Sequence, residues 1–197
     1  RDSALHVSAL LDARRFGPPV FPPQPLGAWA DATMGRLRYR SSVGPDRYRR
    51  SLYTFWRRLS APTVLFDAPA RRVCRVRELR TNTPLQALTL MNDEVFGSAA
   101  SALGRTALAS GAIPPGDAIR IETIFGAVLQ RRPDEGEREI LQRELTRLRG
   151  LYSRAPAEAV RLAGHVLPHA KGDAVNSGMS VELASWTMLA TTILNLD

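Results

Sequence analysis

The stretch TNTPLQALTLMNDEVF, residues 81–96, carries the clearest helix signal in the chain. Thr83 can accept hydrogen bonds from the free N–H groups of a first turn, Pro84 suits the first helical position, and Gln86 stands where a capping box places Glu or Gln. The apolar spacing therefore predicts one helix from this start to about Leu108. Its buried face is expected to hold Leu85, Leu88, Val95, Phe96, Ala99 and Leu103.

Four further helices are predicted toward the C-terminal end. Asp117 is expected to cap a helix over 117–129, and its antiparallel partner begins at Pro133 and reaches about residue 151. A short helix follows over 156–163, and a last one begins at Ser180 or Val181. That last helix is apolar on almost all sides, so we expect it at the centre of the core. In the two preceding helices the core residues are expected to be Ile121, Ile124, Phe125, Val128, Leu129, Ile140, Leu141, Leu145, Leu148 and Leu151.

The first part of the chain is less regular. Residues 2–16 predict a short amphipathic helix that Gly17 ends. Five prolines in GPPVFPPQPLG, residues 17–27, forbid regular helix and favour extended chain. We interpret this segment as an ordered loop wrapped over the core, and a proline-rich ligand for another domain is the alternative. The loop would be held by Val20, Phe21 and Leu26.

The stretch DRYRRSLYTFWRRL, residues 46–59, predicts an amphipathic helix with Asp46 as its N-cap. Its apolar stripe is interpreted as a core face, and stacking on nucleic-acid bases is the alternative. Residues 60–82 predict irregular chain with short extended pieces. The stripe consists of Tyr48, Leu52, Phe55, Trp56 and Leu59.

Together these signals predict a mainly α fold of about six helices with long irregular Pro-rich and Arg-rich connecting segments. The 197 residues fit one domain, with 17–45 as an irregular arm and 83–197 as a helical core. Both ends look cut from a longer protein. A composition with 44% hydrophobic and 23% charged residues excludes the disordered and fibrous classes, and no run of about 18 apolar residues predicts a membrane span.

The positive charge is regional. The formal net charge is +8, and residues 36–80 hold 13 arginines against Asp46, Asp67 and Glu78. Such a block can meet phosphates or an acidic partner. No RRM-like, zinc-finger or basic-zipper signature accompanies it, and 26 of the 27 basic residues are Arg, as a GC-rich genome would also give. We therefore predict no nucleic-acid partner.

The potential metal and redox residues are few. Cys74 is the single cysteine, so an internal disulfide, a multi-cysteine metal site and a CxxCH haem attachment are all excluded. Arginines flank Cys74 and would favour its thiolate, but a small buried apolar role is the preferred interpretation. His165 and His169 are four residues apart, yet Pro168 between them argues against a helical metal pair. The prediction is no metal and no cofactor in this chain.

Candidate binding residues lie between positions 67 and 93. They include carboxylates, a fixed cation and amides, which suit a polar or anionic group such as a sugar or a neighbouring domain. The alternative for Glu78 and Arg80 is a salt bridge that fixes the loop before the Thr83 helix. Asn92 in the apolar stripe is expected to hydrogen-bond to neighbouring backbone, with a ligand or partner contact as the alternative. The candidate site residues are Asp67, Glu78, Arg80, Asn82, Asn92 and Asp93.

Five blocks in this order resemble one known family, the planctomycete domain of unknown function numbered 1553. They are RDSALHVSALL, GPPVFPPQPLGAW, YRRSLYTFWRR, FDAPARRVCRVRELRTNTPLQALTLMND and VELASWTMLATTILNLD, and the chain lacks the family's N-terminal portion. The family occurs in planctomycete proteins that also carry cytochrome-c-like modules. The loop GHVLPHAKGDAVNSG departs from the more polar loop that relatives often have, which puts any site assumed there in doubt.

The resemblance implies an exported protein of the periplasm or cell envelope, with any haem on another domain of the parent chain. It supplies no catalytic residue. We therefore expect a non-catalytic structural or interaction domain whose partners are other domains of the parent chain, including cytochrome-c-like ones. The alternative is a hydrolase-like or carbohydrate-acting domain with its site near residues 67–93. A deep pocket lined by the candidate polar residues would favour the enzyme, and a flat Arg-rich face would favour the interaction domain.

Overall fold

The computed structural model of the chain describes residues 1–24, 34–35, 39–55, 83–109, 116–165 and 177–196. In these residues we find seven α-helices, two short 3₁₀ helices and, as β-structure, only two isolated bridges. The mainly α prediction is confirmed. The α-helices are α1 (Asp2–Val7), α2 (Pro84–Asn92), α3 (Glu94–Leu108), α4 (Asp117–Leu129), α5 (Glu135–Arg154), α6 (Pro156–His165) and α7 (Ser177–Leu194), and the 3₁₀ helices are Gly44–Tyr48 and Ser51–Tyr53.

Helix α7 is the central element of the fold, as its apolar sequence predicts. It contacts α2, α3, α4, α5 and α6, and its Trp186, Leu189 and Ile193 are fully buried. Each such side chain contributes roughly 1.5–3 kcal/mol through removal of apolar surface from water. Around it the other helices supply the remaining core residues, among them Leu103, Ile121, Phe125, Leu141, Leu145 and Leu148.

Helices α3 and α7 cross in direct backbone contact. A Cβ atom added to Gly104 would lie 3.1 Å from the backbone N of Thr187 and 3.2 Å from the carbonyl carbon of Trp186. Neighbouring positions of α3 are also small, since Ala100 and Ala107 are buried in the same cluster. Small side chains let two helices approach closely, so α3 becomes the principal neighbour of the central helix.

The start of α4 differs from the prediction. Gly116 is the N-cap and makes no side-chain cap, so the expected capping role of Asp117 is wrong. The Asp117 carboxylate instead accepts from Arg149 of α5, which holds Glu182 of α7 through Nε–Oε1 and Nη2–Oε2 contacts of 2.8 Å. The Arg149 side chain lowers the pKa of Asp117. One guanidinium thereby joins three helices.

Helix α5 begins close to its predicted start, with a capping box formed by Asp134 and Glu137. Its central leucines are buried as predicted, but Ile140 and Leu151 are 57% and 49% exposed, so their assignment to the core is wrong. The apolar side chains of α5 occupy a wider part of its surface than the neighbouring helices cover, so some of them remain exposed.

Helix α1 is much shorter than the amphipathic segment predicted over 2–16. It ends at Val7, where Ala9 takes a left-handed φ of 57°. The backbone N–H of Asp12 then donates to Tyr48 O at 3.0 Å. The Asp12 N–H therefore does not bond to a carbonyl four residues earlier, as it would in a helix. Phe16, at the end of the predicted helix, is 82% exposed.

The α-helix predicted from Asp46 is also wrong over 46–55, which forms the two 3₁₀ turns. Val20 N donates to Tyr53 O at 2.9 Å and Phe55 N donates to Val20 O at 2.8 Å, so this backbone pairs with the proline-rich loop. Asp46 caps nothing and pairs with Arg14. The remainder of the predicted helix, residues 56–59, lies outside the described residues.

The proline-rich segment is an ordered loop over its described part, residues 17–24. Val20 is buried, and the ring of Phe21 stacks on Phe55 at 4.8 Å between centroids and meets Tyr39 edge-on at 5.7 Å. The loop is therefore held on the 39–55 segment. Leu26, the third predicted anchor, lies outside the described residues.

Polar side chains join the N-terminal segments to the helices. Arg1 donates to the carbonyls of Arg47 and Arg49 at 2.8 Å each, and Arg47 forms an ion pair with Glu94 at the start of α3. Helix α1 also packs on α3 through Ala4. The assignment of residues 1–197 to one domain with a separate arm stays a prediction.

Candidate functional site

The chain breaks its helix at Asp93, so the single helix predicted as far as Leu108 is wrong. Asp93 N donates to Thr89 O at 2.8 Å and closes α2, while its carboxylate accepts from Val95 N at 2.8 Å and Phe96 N at 3.3 Å and opens α3. Asp competes well with helical backbone because its short side chain reaches the free N–H groups of a first turn. One residue serves as the end of one helix and the cap of the next.

The start of α2 agrees with the sequence prediction. Gln86 N donates to Thr83 Oγ1 at 3.3 Å, and Thr83 N donates to Gln86 Oε1 at 2.8 Å. Both bonds of the capping box are present, and Pro84 occupies the first turn. The position of α2 in the chain is thus fixed at its start by Thr83 and at its end by Asp93.

A cavity of about 490 Å³ lies beside this helix break, between the proline-rich loop and the α2–α3 junction. We call it the break cavity. Its walls are formed by Pro23, Gln24, Leu88, Thr89, Asn92, Asp93 and Glu94. Apolar atoms thus stand next to amide, hydroxyl and carboxylate groups, a mixture typical of small-molecule sites.

Most polar groups of the break cavity already serve the backbone. Thr89 Oγ1 donates to Leu85 O and Asn92 Nδ2 donates to Leu88 O, both at 2.8 Å. The hydrogen bond expected between Asn92 and neighbouring backbone is therefore present. The Thr89 hydroxyl proton is thus used by the backbone, and its oxygen remains as an acceptor. Asn92 keeps its Oδ1 acceptor and one of its two N–H donors.

Asp93 is the most buried carboxylate of the cavity. Burial raises the pKa of Asp93, while its bonds from Val95 N and Phe96 N and the nearby charge of Arg1 act in the opposite direction. The adjacent Glu94 is held by Arg47. The Thr89 hydroxyl donates to backbone, so no acid and nucleophile pair is assembled among the described walls of the cavity.

Two of the six predicted site residues, Asn92 and Asp93, line the break cavity together. The other four lie outside the described residues, as do Cys74 and His169. His165 is the last residue of α6. In the described ranges no group of three or more metal-ligating side chains is brought together. The four site residues outside those ranges are Asp67, Glu78, Arg80 and Asn82.

The sequence analysis missed three polar residues of the cavity: Gln24, Thr89 and Glu94. The sequence did offer a signal for Gln24, because it is the one polar residue within FPPQP. In the described structure the Oε1 atom of Gln24 is buried without a hydrogen-bond partner. Glu94 directly follows a predicted site residue. The proximity of Gln24 to α2 comes from a long-range contact, which local pattern does not contain.

Helix α2 exposes a set of large apolar side chains. Leu85, Leu88 and Met91 are 71%, 57% and 55% exposed, so the prediction that Leu85 and Leu88 share the buried face of Val95 and Phe96 is wrong. Because a new helix begins after Asp93, the residues before and after the break do not share one helical face. Leu90, on another side of α2, packs on the α1–α3 cluster. We call Leu85, Leu88 and Met91 the α2 face.

Comparison with protein families finds a match over residues 1–145 to the model described as "Protein of unknown function (DUF1553)". Comparison with curated proteins and with solved structures finds no match.

Proposed function

The chain belongs to the DUF1553 family, and from this membership we propose that it is a non-catalytic interaction domain of a cell-envelope protein. Its partner, in this proposal, is another domain of the parent protein, of the cytochrome-c-like kind that the sequence resemblance implies. The contact surface is the α2 face. The single observation that carries the proposal is the exposure of three large apolar side chains on one short helix.

The α2 face is unusual for a helix of this fold. No residue of α2 is fully buried, whereas α3 buries ten of its residues. The apolar side chains of the α2 face therefore contribute little to the core. Contiguous exposed apolar surface mostly marks sites where proteins contact other molecules.

Two residues far apart in the sequence, Arg1 and Asn195, lie close to α2. Asn195 Nδ2 donates to Ala87 O of α2 at 3.3 Å. The charge of Arg1 acts on Asp93, the residue that closes α2. A partner domain of the same polypeptide would be tethered to this chain, and tethering raises its effective concentration to about the millimolar range.

The described arginines of the basic block also fit an interaction domain better than a nucleic-acid binder. Arg47 is paired with Glu94, and Arg49 is buried with its donors turned to backbone carbonyls. Nucleic-acid binding requires a row of exposed cations that replace counterions along the phosphate backbone. Arg40 and Arg50 are the exposed members among the described residues of the block.

The proposal is tested by titrating this chain with the separately produced neighbouring domains of its parent protein in a calorimeter. We expect Leu88→Ser to weaken that binding about tenfold or more, because it removes apolar surface from the contact. The matched control is Ile140→Ser on α5, since Ile140 and Leu88 are both 57% exposed. Equal losses in the two variants, or no binding of any neighbouring domain, would contradict the proposal.

A second candidate, a carbohydrate-acting domain, is favoured by the break cavity itself. Its volume of about 490 Å³ and its walls of Asn92, Asp93 and Gln24 can receive the hydroxyl groups of a sugar. The test is hydrolysis of a panel of aryl glycosides by the purified chain. Asp93→Asn keeps the helix cap and removes the carboxylate, so activity that is present in the parent chain and lost in this variant would establish the enzyme.

A further inference from the structure

A second cavity, of about 400 Å³, lies on the N-terminal segments and is lined by basic side chains. It is formed where residues 13–19 loop outward between two bridges, Asp12 with Arg49 and Val20 with Thr54. We call it the Arg49 cavity. Its walls are Arg14, Arg15, Phe16, Gly17, Pro18, Pro19, Val20, Ser42, Asp46 and Arg49.

Arg49 is the central cation of this cavity and is only 4% exposed. Its Nη1 donates to Pro18 O at 3.1 Å, and its Nη2 donates to Phe16 O and to Arg14 O at 3.4 Å. Its guanidinium lies 4.1 Å from the centre of the Tyr53 ring. These partners are neutral. Nε is buried without a hydrogen-bond partner, and no carboxylate of the described residues forms an ion pair with Arg49.

A buried guanidinium without a counter-ion is costly, because carbonyl dipoles solvate the charge but do not neutralise it. The hydrogen bond from the Arg14 backbone N–H lowers the pKa of Asp12, and the charge of Arg49 makes a smaller contribution. Both Asp12 oxygens accept from Arg14, so Asp12 compensates Arg49 only from a distance and forms no ion pair with it. An anion in the cavity would provide the missing compensation.

The rest of the cavity wall supplies further donors. Arg14 uses Nε and Nη2 on Asp12 and Asp46 at 2.8 and 2.6 Å, which leaves its Nη1 free of described partners. Arg15 is exposed and forms no ion pair with the described residues. Ser42 Oγ accepts from Phe21 N, so its hydroxyl proton is free to donate. Asp46 is the one carboxylate in the wall, and Arg14 binds it.

The loop around Arg49 is held in a strained shape. Phe16 and Gly17 have φ values of 62° and 96°, and Phe16 is 82% exposed, so its ring does not contribute to the core. Left-handed backbone is unfavourable for a bulky residue and persists only where its surroundings impose it. Here the Phe16 N–H donates to Tyr53 Oη at 2.9 Å and its carbonyl accepts from Arg49. The cavity wall is thereby preformed.

From these contacts we propose that the Arg49 cavity binds an oxyanion group, a carboxylate or a phosphate. Guanidinium groups suit both anions because they combine positive charge with several N–H donors. The donors left for an anion in this wall are Arg14 Nη1, the Arg15 guanidinium and the Ser42 hydroxyl, beside the charge of Arg49. The prolines and Val20 give the cavity an apolar wall next to the cations, so the anion belongs to an organic ligand or to an acidic side chain. This site is separate from the α2 face and does not depend on the function proposed for that face.

The test is titration of the whole chain with two probes, inorganic phosphate and N-acetyl-glutamate amide, at constant ionic strength with chloride as the background anion. Binding is followed by calorimetry and by NMR shifts of the backbone N–H groups of residues 14–20. We expect saturable binding of at least one probe at the Arg49 cavity. Binding of phosphate alone identifies a free anionic ligand, and binding of the glutamate derivative identifies an acidic side chain; either result supports the site.

Two variants make the test specific. Arg15→Gln should weaken binding about three- to fivefold, since an exposed cation contributes at the level of a surface ion pair. Arg50→Gln is the matched control, because Arg50 is exposed, adjacent to Arg49 and outside the cavity wall. Arg49→Lys keeps the charge but loses the guanidinium donors that hold the carbonyls of Arg14, Phe16 and Pro18 in the cavity wall. We expect about a tenfold loss of binding in a chain whose circular dichroism is unchanged.

The proposal is overturned if neither probe binds saturably, or if Arg15→Gln and Arg50→Gln weaken binding equally, which would indicate general attraction to a basic chain. If Arg49→Lys unfolds the chain, the comparison of Arg15→Gln with Arg50→Gln still decides the matter, because both positions are exposed.

Discussion

Helices α2 and α7 are both apolar, yet one lies on the surface and the other at the centre. Helix α7 is enclosed by α3, α5 and α6, and its Leu189 is fully buried. Helix α2 has no fully buried residue, and its Leu88 faces solvent. An apolar helix is therefore buried only when enough neighbouring helices surround it. An apolar helix that stays on the surface is a candidate for contact with another molecule or domain.

Matched truncations measure this difference most directly. Leu189→Ala should destabilise the fold by about 2–5 kcal/mol, because it leaves a cavity in a packed core. Leu88→Ala should stay within about 0.5 kcal/mol, as exposed substitutions do. Urea unfolding of both variants provides the measurement. A loss of more than about 2 kcal/mol for Leu88→Ala would show that α2 is packed like α7.

The contact that keeps α7 central can be disturbed from α3. Gly104→Ala places a Cβ atom 3.1–3.2 Å from the α7 backbone, so we expect a loss of about 1–3 kcal/mol from overpacking. Gly97→Ala, on the same helix, meets nothing within 4 Å and should stabilise by about 0.5–1 kcal/mol through helix propensity. Thermal unfolding of the pair tests the close crossing. If both variants gain stability, the helices are farther apart than the structure places them.

The surface position of α2 makes its end caps important. Thr83→Ala should cost about 1 kcal/mol, because one bond of the capping box is lost and a helix-end N–H is left without its partner. Thr192→Ala provides a control, since Thr192 is exposed and its hydroxyl only bonds back to Met188 O at 3.1 Å. Amide hydrogen exchange should show faster opening confined to α2. Uniform exchange over all helices would contradict a locally held surface helix.

The smallest expected effect is a difference in pH dependence between Asp117 and Asp93. The Arg149 side chain lowers the pKa of Asp117, so its stabilisation is present above the unfolded-state pKa and is lost as pH falls below about 4. Asp117→Asn should therefore cost less than about 1 kcal/mol at pH 7, and the cost should shrink at pH 3.

Burial raises the pKa of Asp93, so its protonation favours the folded state and its contribution to stability grows as pH falls. Asp93→Asn keeps a capping oxygen and should be nearly neutral at pH 7. Relative to the parent chain it should become less favourable toward pH 3, the trend opposite to that of Asp117→Asn. Urea unfolding at both pH values measures the two trends, and trends of the same sign would contradict the assignment.

Features that depend on neighbours along the chain could be predicted from the amino-acid sequence. The mainly α class, the Thr83 capping box and the all-round apolar character of α7 follow from spacing and cap chemistry within a few residues. Asn92 was singled out for the same reason, since an Asn within an apolar stripe is visible in the local pattern. Cap hydrogen bonds and helical periodicity involve residues close together in the sequence, so both can be predicted from it.

The remaining features depend on contacts between distant parts of the chain. Helical spacing predicted α-helix over residues 46–55, but the backbone of that segment bonds to the proline-rich loop about 35 positions earlier. Long-range contacts also bring Gln24 to Asn92 and bury the guanidinium of Arg49. Leu88, by contrast, stays exposed. Helical periodicity shows which side chains share one side of a helix. Whether that side is buried depends on which other segments pack against it, and those contacts involve residues far away in the sequence.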